Sequence, residues 1–140
     1  MNIARFPRSL VLVLLSGAAL AGDPVKVVYN FNEGQEQARR GLLYINNHLT
    51  ADPSAKIVVV AHAAGIDFLL KGTGTGKGSA FDAVIGDFSL NGVEFRVCNI
   101  TLQSRGIDPV RVHGDATIVP SGVAEVARLQ AKEGFVYLKP

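Results

Sequence analysis

The single cysteine of the chain, Cys98, lies in a segment whose pattern predicts a reactive position. The residues before it, Val93–Val97, alternate apolar and charged side chains, as is typical of a half-buried strand. Asn99 is expected to cap a helix, because its side chain can accept a hydrogen bond from an unpaired amide, and Gly106 is expected to end that helix. Cys98 is therefore predicted at a strand end beside a helix start, where the amide dipoles favour a thiolate.

Two interpretations of Cys98 follow from its position. A thiolate at a helix start is a nucleophile. A free cysteine is also commonly a small apolar core residue without chemistry of its own. The position alone leaves both interpretations open.

His62 is the second residue that could do chemistry. It follows Lys56–Ala61, a β-branched run typical of a strand that is covered on both faces. If the strands before His62 and Cys98 are parallel, both residues lie at the same carboxyl edge of the sheet, where open α/β sheets bind their ligands. His62 could then assist proton transfer or stabilise a thiolate. Alternatively, it is a hydrogen-bonded histidine at a strand end or a subunit contact.

The elements that must position these residues alternate between strand and helix. Apolar spacing predicts a helix over Glu36–Leu49, and Ser121 and Gly134 are expected to begin and end the last helix. This alternation implies an α/β fold with a mainly parallel sheet of five strands between helices. The predicted strands are Val25–Tyr29, Lys56–Ala61, Val93–Val97, Asp115–Val119 and Phe135–Leu138.

The start of the chain has the three-part layout of a secretory signal. Arg5 and Arg8 precede the apolar run Leu10–Leu15, and Ala19–Leu20–Ala21 provides small residues for a signal peptidase. The apolar run is shorter than the roughly 20 residues that span a membrane. We therefore expect residues 1–21 to be a cleaved signal peptide, residues 22–140 to form a single domain in the bacterial periplasm, and no membrane association after cleavage.

Composition argues against several classes of function. Two of the 14 Lys and Arg residues lie in the signal, which leaves as many positive as negative charges and no basic face for nucleic acid. One cysteine and three scattered histidines do not favour a metal site. The glycine-rich run Gly72–Ser79 lacks the spacing of a phosphate-binding loop, so we expect a surface loop and no cofactor.

Three segments resemble the DsrE/DsrF-like family, relatives of the TusD sulfur-relay subunits. They are Cys98 followed after six residues by Arg105–Gly106–Ile107, then Ile118–Glu125, and the closing Gly134–Pro140. The resemblance extends over nearly all of the chain from Val25 onward. It implies a flavodoxin-like, three-layer domain that assembles into trimers or hexamers.

The resemblance also implies a role for Cys98. In sulfur-relay members, the cysteine at this position carries a persulfide between a donor and an acceptor protein, so this chain would be at most a sulfurtransferase-like carrier. Arg105 would orient an acidic partner or a sulfur oxyanion. Relay members often have two consecutive arginines here, whereas this chain has Ser104 before Arg105.

Two alternatives remain open at this point. The first is a non-catalytic oligomeric binding or scaffold protein in which Cys98 is structural. The second is a redox role in which Cys98 forms a mixed disulfide between chains.

Overall fold

The computed structural model describes residues 22–72 and 81–140. The predicted signal peptide, residues 1–21, lies outside the described residues, as does most of the glycine-rich run. In the described part of the chain no helix is long and apolar enough to cross a bilayer.

Strands and helices alternate along the described chain, as the sequence predicts. The strands are β1 (Lys26–Phe31), β2 (Lys56–Ala61), β3 (Glu94–Cys98), β4 (Ala116–Val119) and β5 (Val136–Leu138). The α-helices are α1 (Gln35–Ala51), α2 (Asp82–Leu90), α3 (Asn99–Ser104) and α4 (Gly122–Glu133). Two 3-10 helices span Ala63–Leu69 and Pro109–Arg111.

The five strands form one sheet in the order β4-β3-β2-β1-β5, and all four pairings are parallel. The β-branched run of β2 therefore occupies the centre, where Ile57–Ala61 are buried on both faces. The predicted parallel α/β sheet is confirmed. Because β2 and β3 are neighbours and parallel, the residues that follow them meet at one carboxyl edge.

Helices cover both faces of the sheet, which gives three layers. On one face, α1, α2, α3 and the first 3-10 helix enclose the larger core, at whose centre the ring of Phe68 lies 5.3 Å from that of Phe31 and 6.2 Å from that of Phe95. On the other face, Val126 and Leu129 of α4 pack on alternate residues of the inner strands. The sheet therefore positions β2 and β3 rigidly between two packed layers.

The ends of α4 form as the sequence predicts. The Ser121 side chain accepts a hydrogen bond from the Ala124 amide at the start of the helix. Gly134 ends the helix in the left-handed conformation, with φ 73°. Since α4 follows β4 directly, its first turn lies at the same carboxyl edge as His62 and Cys98.

Candidate functional site

Cys98 is the last residue of β3, where it pairs with Val119 of β4. The helix α3 begins at the next residue, Asn99, so Cys98 itself occupies the N-cap position. The prediction that Asn99 caps the helix is therefore wrong, because strand pairing continues one residue further than the alternating pattern suggested. The Cys98 side chain, rather than the Asn99 side chain, therefore stands at the start of α3.

Hydrogen-bond donors surround the Cys98 sulfur. Burial by itself raises the pKa of the Cys98 thiol, but the Thr101 hydroxyl and the backbone amides of Gly122, Thr101 and Ile100 outweigh it, so the pKa is below its ordinary value. Cys98 forms no side-chain capping hydrogen bond at the start of α3. Hydrogen-bond donors from two helices, α3 and α4, therefore favour the thiolate form of Cys98.

Gly122, the first residue of α4, brings the second helix start against the site. A Cβ atom at this position would lie 3.0 Å from the Cβ of His62 and 3.2 Å from the Cβ of Cys98. A side chain here would require both neighbours to shift by a few tenths of an ångström, so glycine suits this close approach. His62 and Cys98 are therefore brought together around Gly122, as the parallel arrangement of their strands predicted.

His62 is held by a hydrogen-bonded chain that runs to β5. Its Nε2 lies 3.0 Å from Asn30 Oδ1, and Asn30 Nδ2 lies 3.0 Å from the hydroxyl of Tyr137. With the Asn30 amide donating to Tyr137, its oxygen accepts from Nε2–H, which leaves Nδ1 unprotonated on a neutral ring. Burial, and secondarily the charge of Lys139, lowers the pKa of His62, so the ring is neutral at neutral pH.

Arg105, just beyond α3, binds within its own chain. Its Nη1 donates to Asp67 Oδ1 at 2.7 Å and to the carbonyl oxygen of Ala63 at 3.2 Å. The guanidinium therefore ties the end of α3 to the 3-10 helix that follows β2. The expected role of Arg105 toward an acidic partner or a sulfur oxyanion stays a prediction.

Ala63, the residue that follows His62, has an unusual backbone conformation. Its φ of 50° makes it the one non-glycine residue with positive φ in the described ranges. Such a conformation costs about 1–3 kcal/mol and persists only where surrounding contacts hold it. Here the Ala63 amide donates to Thr101 Oγ1 at 3.0 Å, while its carbonyl accepts from Arg105.

Cys98 is almost fully covered, with 4% of the residue exposed. The groups that act on its thiol are the Thr101 hydroxyl and the amides of Ile100, Thr101 and Gly122. A buried thiol among hydrogen-bond donors differs from one packed in hydrocarbon, because its anion is solvated by the protein.

The sequence analysis did not identify three residues of this site, Thr101, Gly122 and Asn30. Thr101 follows Cys98 by three residues, which places it in the first turn of the predicted helix, and this spacing was a usable signal. Gly122 and Asn30 had no local signal, since their roles depend on contacts with residues distant along the chain.

Elsewhere, a cavity of about 310 Å³ opens at the opposite, amino edge of the sheet, beside Lys26, Lys56 and Glu94.

Within residues 22–72 and 81–140, no three His, Cys, Asp or Glu side chains are grouped so that they could hold a metal ion.

Comparison with known proteins agrees with this architecture. A sequence model of the DsrE/DsrF-like family matches residues 25–140. The chain is similar to the structure of MTH1491, a protein of unknown function from Methanobacterium thermoautotrophicum, with 26% identity and a TM-score of 0.74 over 83% of this chain and 99% of that one. It is also similar in fold to the ychN protein from E. coli, with 15% identity and a TM-score of 0.66 over 85% of this chain and all of the other. No curated protein matches the chain.

Proposed function

The chain belongs to the DsrE/DsrF-like family, and on that premise we propose that it is a sulfur carrier of sulfur metabolism in which Cys98 holds sulfane sulfur as a persulfide. The family is associated with sulfur relay. The observation that carries the proposal is the convergence of two helix starts on Cys98, which is the N-cap residue of α3 and packs against Gly122 at the start of α4. This convergence supplies donors for an anionic sulfur without a metal or a charged side chain.

The reaction needs a sulfane donor, R–S–SH, such as a protein persulfide or a polysulfide. The Cys98 thiolate attacks the terminal sulfur, a new bond forms between the two sulfur atoms, and the S–S bond of the donor breaks. The donor leaves as a thiolate, which takes up a proton, and no external oxidant or reductant is required. An acceptor thiol reverses the exchange in the same way.

His62 and Arg105 have different supporting roles in this proposal. The Nδ1 of His62 is unprotonated, since Nε2 donates to Asn30, and we propose that Nδ1 accepts the Cys98 proton. Arg105 acts at a distance, by fixing the Ala63 backbone next to His62 through its hydrogen bond to the Ala63 carbonyl.

We also propose the cell compartment and the assembly. The N-terminal layout supports export to the periplasm, and sequencing of the exported protein should begin at Gly22 if the signal is cleaved after Ala21. The family resemblance supports a trimer or hexamer, which sedimentation of the protein would distinguish from a monomer. The partners would be a sulfur donor and a sulfur acceptor protein.

The central test is sulfur uptake by the reduced protein under anaerobic conditions. After incubation with inorganic polysulfide, mass spectrometry should find one added sulfur atom on wild type and none on Cys98→Ser. The uptake rate should rise with pH over a range below that of a free thiol, because the pKa of Cys98 is lowered. Wild type that gains no sulfur at any pH would contradict the carrier role.

The low exposure of Cys98 favours a second candidate function, an oligomeric binding or scaffold protein with a structural cysteine. In that case the thiol should react with reagents only after unfolding, and Cys98→Ala should assemble as wild type does. A non-reducing gel of the same samples identifies a mixed disulfide between chains as a covalent dimer.

A further inference from the structure

Lys26 and Lys56 lie side by side at the amino edge of the sheet, at the opposite end from Cys98. The two residues are register partners on the neighbouring parallel strands β1 and β2. Because side chains alternate along a strand, both lysines lie on the face of Val28 and Val58, which α4 covers. Two ammonium groups therefore project from strands about 4.8 Å apart, where like charges repel.

The nearby carboxylates are each bound by an arginine instead. Glu94 accepts from Arg96 at 2.6 Å, and Glu133 accepts from Arg128 at 2.5 Å. In the part of the chain that the structure describes, neither of the two lysines forms an ion pair. The lysine pair therefore leaves an uncompensated positive charge at this edge of the sheet.

Lys26 is held in place by neutral groups. Its Nζ donates to the backbone carbonyl of Glu133 at 3.1 Å and lies 5.9 Å from the centroid of the Phe135 ring. The carbonyls at a helix end and the face of an aromatic ring both attract a cation. These contacts orient the ammonium group, but they carry no full negative charge that would cancel it.

The cavity of about 310 Å³ at this edge combines the lysine pair with an apolar wall. Val58 and Phe135, both buried, line it together with Lys26 and Lys56. Its volume is at the lower end of the range of pockets that bind small molecules. We propose that this cavity binds a small organic anion, whose carboxylate or sulfonate group contacts the two lysines and whose apolar part packs against Phe135.

This proposed site is separate from the sulfur chemistry. Lys56 begins β2 and His62 follows its other end, so the two residues lie about 20 Å apart along the strand. The proposal does not rest on the carrier function, and Cys98→Ser should bind the anion as wild type does. Loss of sulfur uptake would therefore leave the anion site standing, and loss of anion binding would leave the carrier standing.

The test uses p-toluenesulfonate, which has one sulfonate group and one apolar ring. Its binding to the isotope-labelled protein is followed at constant ionic strength by the chemical shifts of the backbone amides. We expect saturating shifts that cluster at the cavity, at Gly92 and Phe135, and no shift at Gly122 beside Cys98. Shifts that do not saturate, or that centre elsewhere on the molecule, would overturn the proposal.

Methanesulfonate tests the apolar part of the site, because it has the same charged group without the ring. Its affinity should be lower by about tenfold or more, the effect expected when an aromatic ring is no longer buried. Equal affinities for the two sulfonates would reject a site with an apolar wall.

Lys26→Gln and Lys56→Gln test the charged part of the site. Each variant should bind p-toluenesulfonate about three- to tenfold more weakly, the range for hydrogen bonds and ion pairs to partly exposed charged groups. Lys71→Gln is the matched control, because Lys71 Nζ also donates to a backbone carbonyl, that of Val110 at 3.0 Å, but does not line the cavity. Its affinity should equal that of wild type.

Circular dichroism checks that the variants fold. Lys56 is exposed and makes no contact that the fold needs, so Lys56→Gln by itself decides the question if Lys26→Gln is unfolded. An affinity of Lys56→Gln equal to that of wild type would overturn the role of the lysine pair.

Discussion

Replacement of Gly122 by alanine is the most direct test of how the site is built. The new Cβ would lie 3.0 Å from the His62 Cβ, 3.2 Å from the Cys98 Cβ and 3.5 Å from the Ala61 carbonyl oxygen. The first two distances are shorter than ordinary carbon contacts, which are about 3.5–4.0 Å. Because both neighbours are held by adjacent strands of one sheet, they must move apart by a few tenths of an ångström.

The magnitude follows from two opposing effects. Overpacking of a well-packed site typically costs about 1–3 kcal/mol. Alanine in place of glycine inside a helix gains up to about 1 kcal/mol, but less at the first position of α4. We therefore expect Gly122→Ala to reduce the free energy of unfolding by about 1–2 kcal/mol.

Gly86→Ala is the matched control, since it makes the same chemical change within α2. A Cβ there would have only the Asp115 carboxylate nearby, at 3.8 Å, an ordinary contact distance. With helix propensity as the main effect, we expect this variant to be more stable than wild type by about 0.5–1 kcal/mol. The two substitutions should thus change stability in opposite directions.

Urea unfolding followed by circular dichroism measures both changes, and the same samples give the alkylation rate of Cys98. Gly122→Ala should also change that rate, because it displaces the sulfur relative to its donors, whereas Gly86→Ala should leave it unaltered. If Gly122→Ala stabilised the protein as much as Gly86→Ala does, the close approach of α4 to His62 and Cys98 would be refuted.

Two further predictions concern charged and titratable groups. Arg96→Met should destabilise the protein by about 1–3 kcal/mol near pH 7, because Arg96 and Glu125 form an ion pair in which both side chains are mostly covered. Hydrogen bonds from Arg128, and then from Arg96, lower the pKa of Glu125. The stabilisation by the ion pair is therefore present above the usual glutamate pKa and should fade as the pH falls below the pKa of Glu125 in the folded protein. An Arg96→Met effect of equal size in acid would argue against the pair. For His62, burial and Lys139 lower the pKa, so the unfolded state protonates first and the free energy of unfolding should fall as pH drops below about 6.5. His62→Gln should reduce this pH dependence in urea unfolding at a series of pH values, and an unchanged slope would assign it to other groups.

The elements of the fold were largely predictable from local patterns. The boundaries of β2 were predicted as observed, because a continuous β-branched run fits only a strand covered on both faces. The caps of α4 were predictable for a similar reason, since Ser121 and Gly134 each satisfy a backbone requirement within their own helix end. Errors of one or two residues occurred at strand ends such as Cys98, where pairing with β4 decides the boundary.

The sequence by itself determined the parallel α/β architecture, the position of Cys98 at a strand end and the proximity of His62 to the same edge. These properties follow from periodicity and from the direction of parallel strands, which are local or topological. Only the tertiary structure decided that Cys98 rather than Asn99 caps α3 and that Gly122 packs against both His62 and Cys98. It also decided that Ala63 is hydrogen-bonded to Thr101 and Arg105. Each of these depends on atoms that packing brings together from separate strands and helices, and no spacing within one segment encodes such contacts.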